Sequence, residues 1–201
     1  MEFNKAATYT FWHWFSQYHE EFGENFDNET ALVELDNKIM DLGDFAWEIG
    51  PGTKEKNQLV ISPGGNITLL PITKQIIAHA TNIPGWVFFY AKPPKQWKLL
   101  FDFQKENGDL IEIDASKWRY VLKRYEDGFD IIIQMYDLTS IGEEDKLIAA
   151  EILLDGILGE EFRMLHINYI EIVELFGDQY LNKTNDMNYL DKHFNELIKA
   201  G

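Results

Sequence analysis

Residues 118–136, WRYVLKRYEDGFDIIIQMY, form the clearest local pattern in this chain. Apolar and polar side chains alternate on both sides of Asp127-Gly128, which is typical of two half-buried strands. Asp-Gly is a favoured pair for a two-residue hairpin turn, because glycine tolerates a positive φ. A turn centred on this pair places Leu122 opposite Ile133. The sequence therefore predicts an antiparallel hairpin.

Aromatic residues are concentrated near the N-terminus, in the segment TFWHWFSQYHEEF. On a 3.6-residue period, a helix over 10–26 gathers four rings on one face. These rings belong to Phe11, Phe15, Tyr18 and Phe22. His13 falls on the opposite face, so we expect it to be exposed while the four rings are buried. A second amphipathic segment over 28–42 predicts another helix and, with the first, an N-terminal helical hairpin over 1–43.

Further elements are predicted from periodicity and turn residues. The predicted strands are 45–49, 59–62, 85–91, 99–103, 110–113 and 165–175. The predicted helices are 69–81, 140–158 and 186–199. The segment 85–91 is apolar on both faces, which is typical of a central strand covered on both sides. Ser140 and Glu143 have the spacing of a capping box at the start of the second helix.

The order of these elements predicts an α+β protein with a mostly antiparallel sheet and helices packed on one face. The middle of the chain fits a split β-α-β arrangement of the ferredoxin-like kind. Since no long linker interrupts the pattern, we expect a single domain over 1–201. It would contain the helical hairpin at 1–43, a sheet with two helices at 44–176 and a C-terminal helix at 186–199.

The chain contains 18 Lys and Arg against 34 Asp and Glu, a formal net charge of −16. This balance disfavours nucleic acids and anionic membranes as partners, because binding phosphate needs cationic side chains. The sequence has no cysteine and therefore no disulfide framework. It shows neither a signal-peptide pattern nor an apolar run of the ~20 residues that span a bilayer. We expect a cytoplasmic protein without a cofactor, as a monomer or weak homodimer.

An acidic group in the segment LLDGILGEEF supplies the candidates for catalysis. With the next histidine, they are Asp155, Glu160, Glu161 and His166. Carboxylates near a helix C-terminus are unfavourable, so they would serve a cation, an arginine partner or acid–base chemistry. Alternatively, Glu160 and Glu161 lie past the helix end in solvent. Gly156, inside the helix, costs roughly 1 kcal/mol relative to alanine and indicates close packing or room for a ligand. No spacing typical of a metal site is recognised, so we predict none.

Positive charge is concentrated in residues 92–124, which contain eight Lys and Arg against five Asp and Glu, a net charge of +3. In the predicted hairpin, Arg119 and Lys123 share a strand face with Tyr125, and Tyr136 lies opposite. These four are candidate binding residues, because cations mixed with aromatic rings suit an acidic protein or a small anion. Alternatively, the two cations are edge-strand gatekeepers that prevent association between sheets.

Several motifs follow one another along nearly the whole chain. They are FWHWF at 11–15, LVISPGG at 59–65, LPITKQII at 70–77, IPGW at 83–86 and LLDGILGE at 153–160. Together they resemble a family of uncharacterised bacterial proteins with FWxWF, LPGW-type and LGE-type motifs. The resemblance implies a bacterial, intracellular single domain, and it carries over no activity and no catalytic residue. Ile83 stands where the family pattern has leucine.

Because the sequence offers no reactive constellation, we expect a non-catalytic partner-binding protein of a regulatory or immunity-like kind, with another protein as its partner. The alternative is a hydrolase or metal-dependent enzyme that uses the acidic cluster at 155–166. The two hypotheses differ in whether that cluster converges in one concave pocket.

Overall fold

The computed structural model of the chain describes residues 1–105, 108–136, 138 and 141–199. The chain forms two compact units, Met1–Lys92 and Pro93–Gly201, and each has its own hydrophobic core. The single domain expected over 1–201 stays a prediction. Every helix in the described part of the chain is too short or too polar to cross a membrane.

The first unit contains three α-helices and a three-stranded sheet. Its helices are α1 (Lys5–Tyr18), α2 (Glu29–Met40) and α3 (Leu70–Ala78), with short 3-10 helices at His19–Phe22 and Ile67–Leu69. Its strands are β1 (Ala46–Pro51), β2 (Asn57–Ser62) and β3 (Trp86–Phe89). The central strand, β2, pairs antiparallel with β1 and parallel with β3. The crossover between the parallel strands contains α3.

Helix α1 starts where Asn4 caps it, because the Asn4 side chain accepts a hydrogen bond from Ala7 N at 3.1 Å. Its aromatic face is buried as predicted for Phe11, Phe15 and Phe22, and His13 is exposed. The Phe15 ring packs edge-on against Trp86 of β3, with 5.0 Å between centroids. The aromatic cluster therefore docks this helix onto the sheet.

The prediction was wrong for Tyr18, which is 45% exposed. The buried stripe of α1 also includes Thr8 and Trp12, so its centre is rotated away from Tyr18. The α-helix ends at Tyr18, and the 3-10 helix that follows turns Phe22 back into the core. A single 3.6-residue period applied to all of 10–26 therefore misplaces Tyr18, which lies where the α-helix meets the 3-10 helix.

The segment around β3 was predicted as a central strand, and this was also wrong, because β3 is an edge strand. The hairpin from β1 occupies one side of β2, so the crossover through α3 delivers β3 to the other side. The apolar residues of β3 instead pack against the aromatic side chains of α1. The Phe88 ring, for example, lies 4.7 Å from the Trp12 ring between centroids.

The second unit contains a two-stranded sheet and a four-stranded sheet. Its strands are β4 (Leu100–Gln104), β5 (Leu110–Asp114), β6 (Arg119–Arg124), β7 (Phe129–Gln134), β8 (Ile167–Val173) and β9 (Asn185–Asp186). Its helices are α4 (Glu143–Leu158), α5 (Glu160–His166) and α6 (Leu190–Lys199). The larger sheet has the order β8-β7-β6-β9. Ser140, predicted as a capping residue, lies outside the described residues, and Gly142 precedes the first turn of α4.

The α+β class is confirmed, and so are the two N-terminal helices followed by strands. The split β-α-β arrangement is not found in the described part of the chain, where strands form three separate sheets. In both parallel pairs, β2/β3 and β7/β8, the strands are direct neighbours. The first strand of each pair has its hairpin partner on its other side, so both of its sides are already paired and the split arrangement does not form.

The predicted β6/β7 hairpin is confirmed, but its register differs by two residues. Leu122 lies opposite Ile131 rather than Ile133. The turn is closed by the Tyr125 N–H donating to Gly128 O at 2.8 Å, so Gly128 follows the turn instead of forming its second corner. Gly128 has a φ of +153°, and a Cβ there would lie 2.7 Å from Asn168 Oδ1. A shift of two residues leaves every side chain on its predicted face.

The core of the second unit lies between the inner face of the four-stranded sheet and the helices. Tyr120, Ile131 and Ile133 supply the sheet side. Ala150 and Leu153 of α4 belong to the same buried cluster, as does Phe194 of α6. The buried Tyr120 hydroxyl lies 2.9 Å from His193 Nδ1.

We predict that Phe15→Ala lowers the free energy of unfolding by about 3–5 kcal/mol, as for other buried aromatic side chains. His13→Ala, on the exposed face of the same helix, should change it by less than about 0.5 kcal/mol. Urea unfolding of both variants measures the difference. Equal losses would contradict the packing of α1.

A second prediction concerns pH. Burial, together with the charge of Asp186, raises the pKa of Tyr120 above its ordinary value of 10.0. The folded state therefore retains a proton that the unfolded chain releases, so this contribution to stability is complete below pH 10 and falls as the pH rises above it. The free energy of unfolding, measured by urea titration at pH values from 8 to 11, should decline less steeply for Tyr120→Phe than for the wild type. The variant Tyr9→Phe, at an exposed site, should follow the wild type.

Candidate functional site

The acidic candidate Asp155 is bound to an arginine. Its carboxylate accepts a hydrogen bond from Arg163 Nε, and both side chains are buried. Arg163 Nη1 also lies 3.4 Å from Glu151 Oε1, one turn earlier on α4. Of the alternatives for the acidic cluster, an arginine partner is the one that the structure shows for Asp155.

The break at Gly159 brings these residues together. Gly159 has a φ of +86°, in the region that favours glycine, and it separates α4 from α5. Its N–H donates to Asp155 O at 2.9 Å, and its carbonyl accepts from Arg163 N at 3.0 Å. The turn therefore folds α5 back so that Arg163 reaches Asp155.

The other three candidates lie on α5, and they do not share one environment. Glu160 has no exposed surface, so the expectation that it lies in solvent was wrong. Glu161 and His166 are partly buried, and the His166 ring contacts Phe162 with 4.4 Å between centroids. Within the described residues, no group of three or more His, Asp or Glu is arranged to hold a metal ion.

Gly156 allows close packing inside α4. A Cβ at this position would overlap the ring of Trp97. The Lys95 N–H donates to Gly156 O at 2.7 Å, so the segment before β4 is held against the helix at this point. Close packing, one of the two explanations considered for this glycine, is what the structure shows.

The basic candidates lie on the outer face of the four-stranded sheet, opposite the core. Lys123 Nζ is 3.8 Å from Glu171 Oε2 on β8 and 5.2 Å from the Tyr180 ring centroid. A hydrogen bond to the Tyr180 side chain raises the pKa of Lys123, and the charge of Glu171 acts in the same direction. The lysine is therefore held by groups of its own unit.

The connection between β8 and β9, which lie at opposite edges of the sheet, packs on this outer face, where Tyr180 contacts Lys123. At one end, Gln134 Nε2 donates to Glu174 O at 2.8 Å. At the other end, Arg119 Nη2 donates to Thr184 O at 3.2 Å. Arg119, like Lys123, therefore helps to fix this crossing connection, residues 174–184.

The predicted position of Tyr136 was wrong, because Gln134 and not Tyr136 lies opposite Arg119. The two-residue register difference accounts for this. The Tyr136 hydroxyl donates to Gln134 Oε1 at 2.9 Å, which keeps its ring beside the outer face. The gatekeeper interpretation also stays open. The described pairing of β9 covers Arg119 and Tyr120 of β6, and Lys123 lies beyond it along the same edge.

A cavity that the sequence did not indicate lies where β7 and β8 end, beside the first turn of α4. It has a volume of about 240 Å³. Its apolar lining includes Met135 and Ile172. The buried Lys146 also lines it and donates to Glu143 Oε1 at 2.7 Å. The sequence signal for this cavity was a lysine, Lys146, on the apolar side of a helix. It was easy to miss, because its spacing from Glu143 is also that of an ordinary ion pair on a helix surface.

We predict that Gly156→Ala destabilises the protein by roughly 1–3 kcal/mol through overpacking against Trp97. This runs against helix propensity, which favours alanine by about 1 kcal/mol. In a Trp97→Ala background the same substitution should therefore be neutral or stabilising. A double-mutant cycle from urea unfolding measures the coupling, and additive effects would contradict the contact.

Among the comparisons with known proteins, no family model, no curated protein and no solved structure matches this chain. The resemblance based on the FWHWF, IPGW and LLDGILGE motifs therefore stays a prediction.

Proposed function

We propose that this protein acts by binding a partner protein, in a regulatory or immunity-like role, and not by catalysis. The observation that carries the proposal is a group of exposed tyrosines on the outer face of the four-stranded sheet. Tyr125, Tyr136 and Tyr169 belong to this group, which we call the tyrosine face. Protein interfaces are enriched in tyrosine, because its ring supplies a large contact area and its hydroxyl a hydrogen bond.

The pairing of the strands supports a common surface for Tyr125 and Tyr169, whereas Tyr136 lies toward the other end of the same face. Asp130 of β7 pairs with Lys123 on one side and with Tyr169 on the other, so the three lie in one row across the sheet. Tyr125 follows two residues after Lys123 and shares its face. The crossing connection adds Leu175 and Leu181, both strongly exposed. Exposed large apolar side chains near one another are typical of interaction surfaces.

The alternative, a hydrolase or metal-dependent enzyme, has less support. It requires the cluster at 155–166 to present reactive groups to a substrate. Asp155 is instead engaged by Arg163, and Glu160 is fully buried. These contacts favour a structural role for the cluster.

The proposal is tested by affinity capture from a lysate of the source cells with quantitative mass spectrometry. The test variant is Tyr125→Ala with Tyr169→Ala, at residues that are 50% and 61% exposed. The matched control is Tyr9→Ala with Tyr189→Ala, at residues that are 53% and 62% exposed. Arg119 and Lys123 are left unchanged, because replacing them would disturb the crossing connection.

We expect the wild type and the control to capture the same protein in stoichiometric amounts and the test variant to capture at least about tenfold less, the loss of at least one interface hot spot. All three proteins should unfold at the same temperature. Capture by the test variant at the level of the control would contradict a role for the tyrosine face.

A further inference from the structure

A surface groove of the first unit lies between the end of α1, the 3-10 helix at His19–Phe22 and the start of α2. Its volume is about 160 Å³. Three aromatic and two acidic side chains line it, together with smaller residues at the start of α2. The aromatic residues are Trp14, Tyr18 and the buried Phe22, and the acidic residues are Glu21 and Glu34. The sequence did not indicate this groove, because its residues come from three separate elements.

The aromatic wall of the groove is formed by neighbouring turns of α1. The rings of Trp14 and Tyr18 are nearly parallel, at 19°, with 5.9 Å between centroids. Tyr18 exposes almost half of its surface, whereas Trp14 is almost buried. Lys38 Nζ lies 5.9 Å from the Trp14 ring centroid. This distance is within the range of a cation–π contact, so the Trp14 ring already attracts a cation.

The acidic side of the groove is held in place by neutral donors. Trp14 Nε1 donates to Glu34 Oε1 at 2.9 Å. Asn28 Nδ2 donates to the main-chain oxygen of Glu21 at 2.8 Å and so ties the 3-10 helix to α2. In the described part of the chain, neither Glu21 nor Glu34 forms an ion pair with a lysine or arginine. Two carboxylate groups therefore lie beside the aromatic wall without an ion-pair partner among the described lysines and arginines.

The sequence around the groove extends this negative charge. Residues 20–48 contain ten Asp and Glu against one lysine, a net charge of −9. The start of α2 also borders the groove, and its dipole disfavours a cation there. That effect is small, because the Asn28 side chain already accepts a hydrogen bond from Ala31 N and Glu29 occupies the first turn.

From this arrangement we propose that the groove binds an arginine side chain presented by a basic segment of a partner protein. A guanidinium group is planar, so it stacks on an aromatic ring while its N–H groups donate to carboxylates at the ring edge. Tyr18 would provide the ring, and Glu21 and Glu34 the carboxylates. The wide acidic surroundings suit a partner that carries several cations, which a single free amino acid does not.

The groove belongs to the first unit and differs from the tyrosine face in its chemistry. Arginine binding to it can be measured without a known partner. The probe is N-acetyl-arginine methylamide, titrated into ¹⁵N-labelled protein while the Trp14 indole N–H signal is followed. The isosteric neutral probe is N-acetyl-citrulline methylamide, and free arginine is the zwitterionic probe.

The arginine derivative should shift the Trp14 indole signal saturably and bind more weakly as salt is added. The citrulline derivative should leave the signal unchanged. Free arginine should bind no more tightly than the blocked form, because its α-ammonium and α-carboxylate together add no net positive charge. An equal shift with citrulline would overturn the proposal, and tighter binding of free arginine would overturn the assignment to a protein segment.

The test variants are Tyr18→Ala and Glu21→Gln, and both residues are exposed. The matched controls are Tyr9→Ala on the same helix and Glu20→Gln next to Glu21, also exposed. Each test variant should raise the Kd of the arginine derivative about three- to fivefold, a loss within the range of one exposed cation–π contact. The controls should stay within about twofold, as for substitutions outside the contact.

If test and control variants weakened the binding of the arginine derivative equally, the effect would be diffuse electrostatics. That result would overturn the proposal that the groove is the binding site. The result is separable from the capture experiment on the tyrosine face. If the partner is lost only with Tyr125→Ala and Tyr169→Ala, and the indole signal never responds to arginine, the groove inference fails while the binding function stands.

Discussion

Two pairs of parallel neighbours determine how this chain is connected. Parallel strands cannot be joined by a tight turn. Each pair therefore needs a crossover that returns the chain to the end of the sheet at which the first strand began. In the first unit α3 makes that crossover, and in the second unit α4 and α5 make it together. The longer crossover has to bend, and Gly159 provides the bend that sets Arg163 against Asp155. The buried ion pair is thus a consequence of returning β8 to the side of β7.

Features governed by local chemistry could be predicted from the sequence. The phase of α1 placed Phe11 and Phe15 in the core and His13 outside, because helical periodicity extends over the length of the helix. Features governed by distant contacts could not. The hairpin register depends on Gly128, which β8 approaches through Asn168 some forty positions later in the chain. A rule for two-residue turns contains no information about that neighbour.

The same distinction applies to the candidate sites. Charge clustering drew attention to Asp155, Arg119 and Lys123, and each of them is engaged within its own unit. Asp155 was recognisable as acidic at a helix end, but its partner follows the bend at Gly159, and bends are not visible in helical spacing. Tyr125 remained exposed as the hairpin pattern suggested. The aromatic groove was missed because it needs the ends of three elements to meet.

The net charge of −16 describes the whole chain and says little about any one contact. At physiological ionic strength, charges more than roughly 8 Å apart are largely screened, so a partner senses mainly the groups near its contact surface. On the tyrosine face, Lys123 is paired with Glu171, so the binding that we propose there would depend mainly on ring contact and hydrogen bonding. In the groove, Glu21 and Glu34 form no ion pair with a described lysine or arginine, so the binding that we propose there would depend on the charge of the cation that enters. The two surfaces therefore differ in kind. Added salt should weaken binding in the groove far more than binding at the tyrosine face.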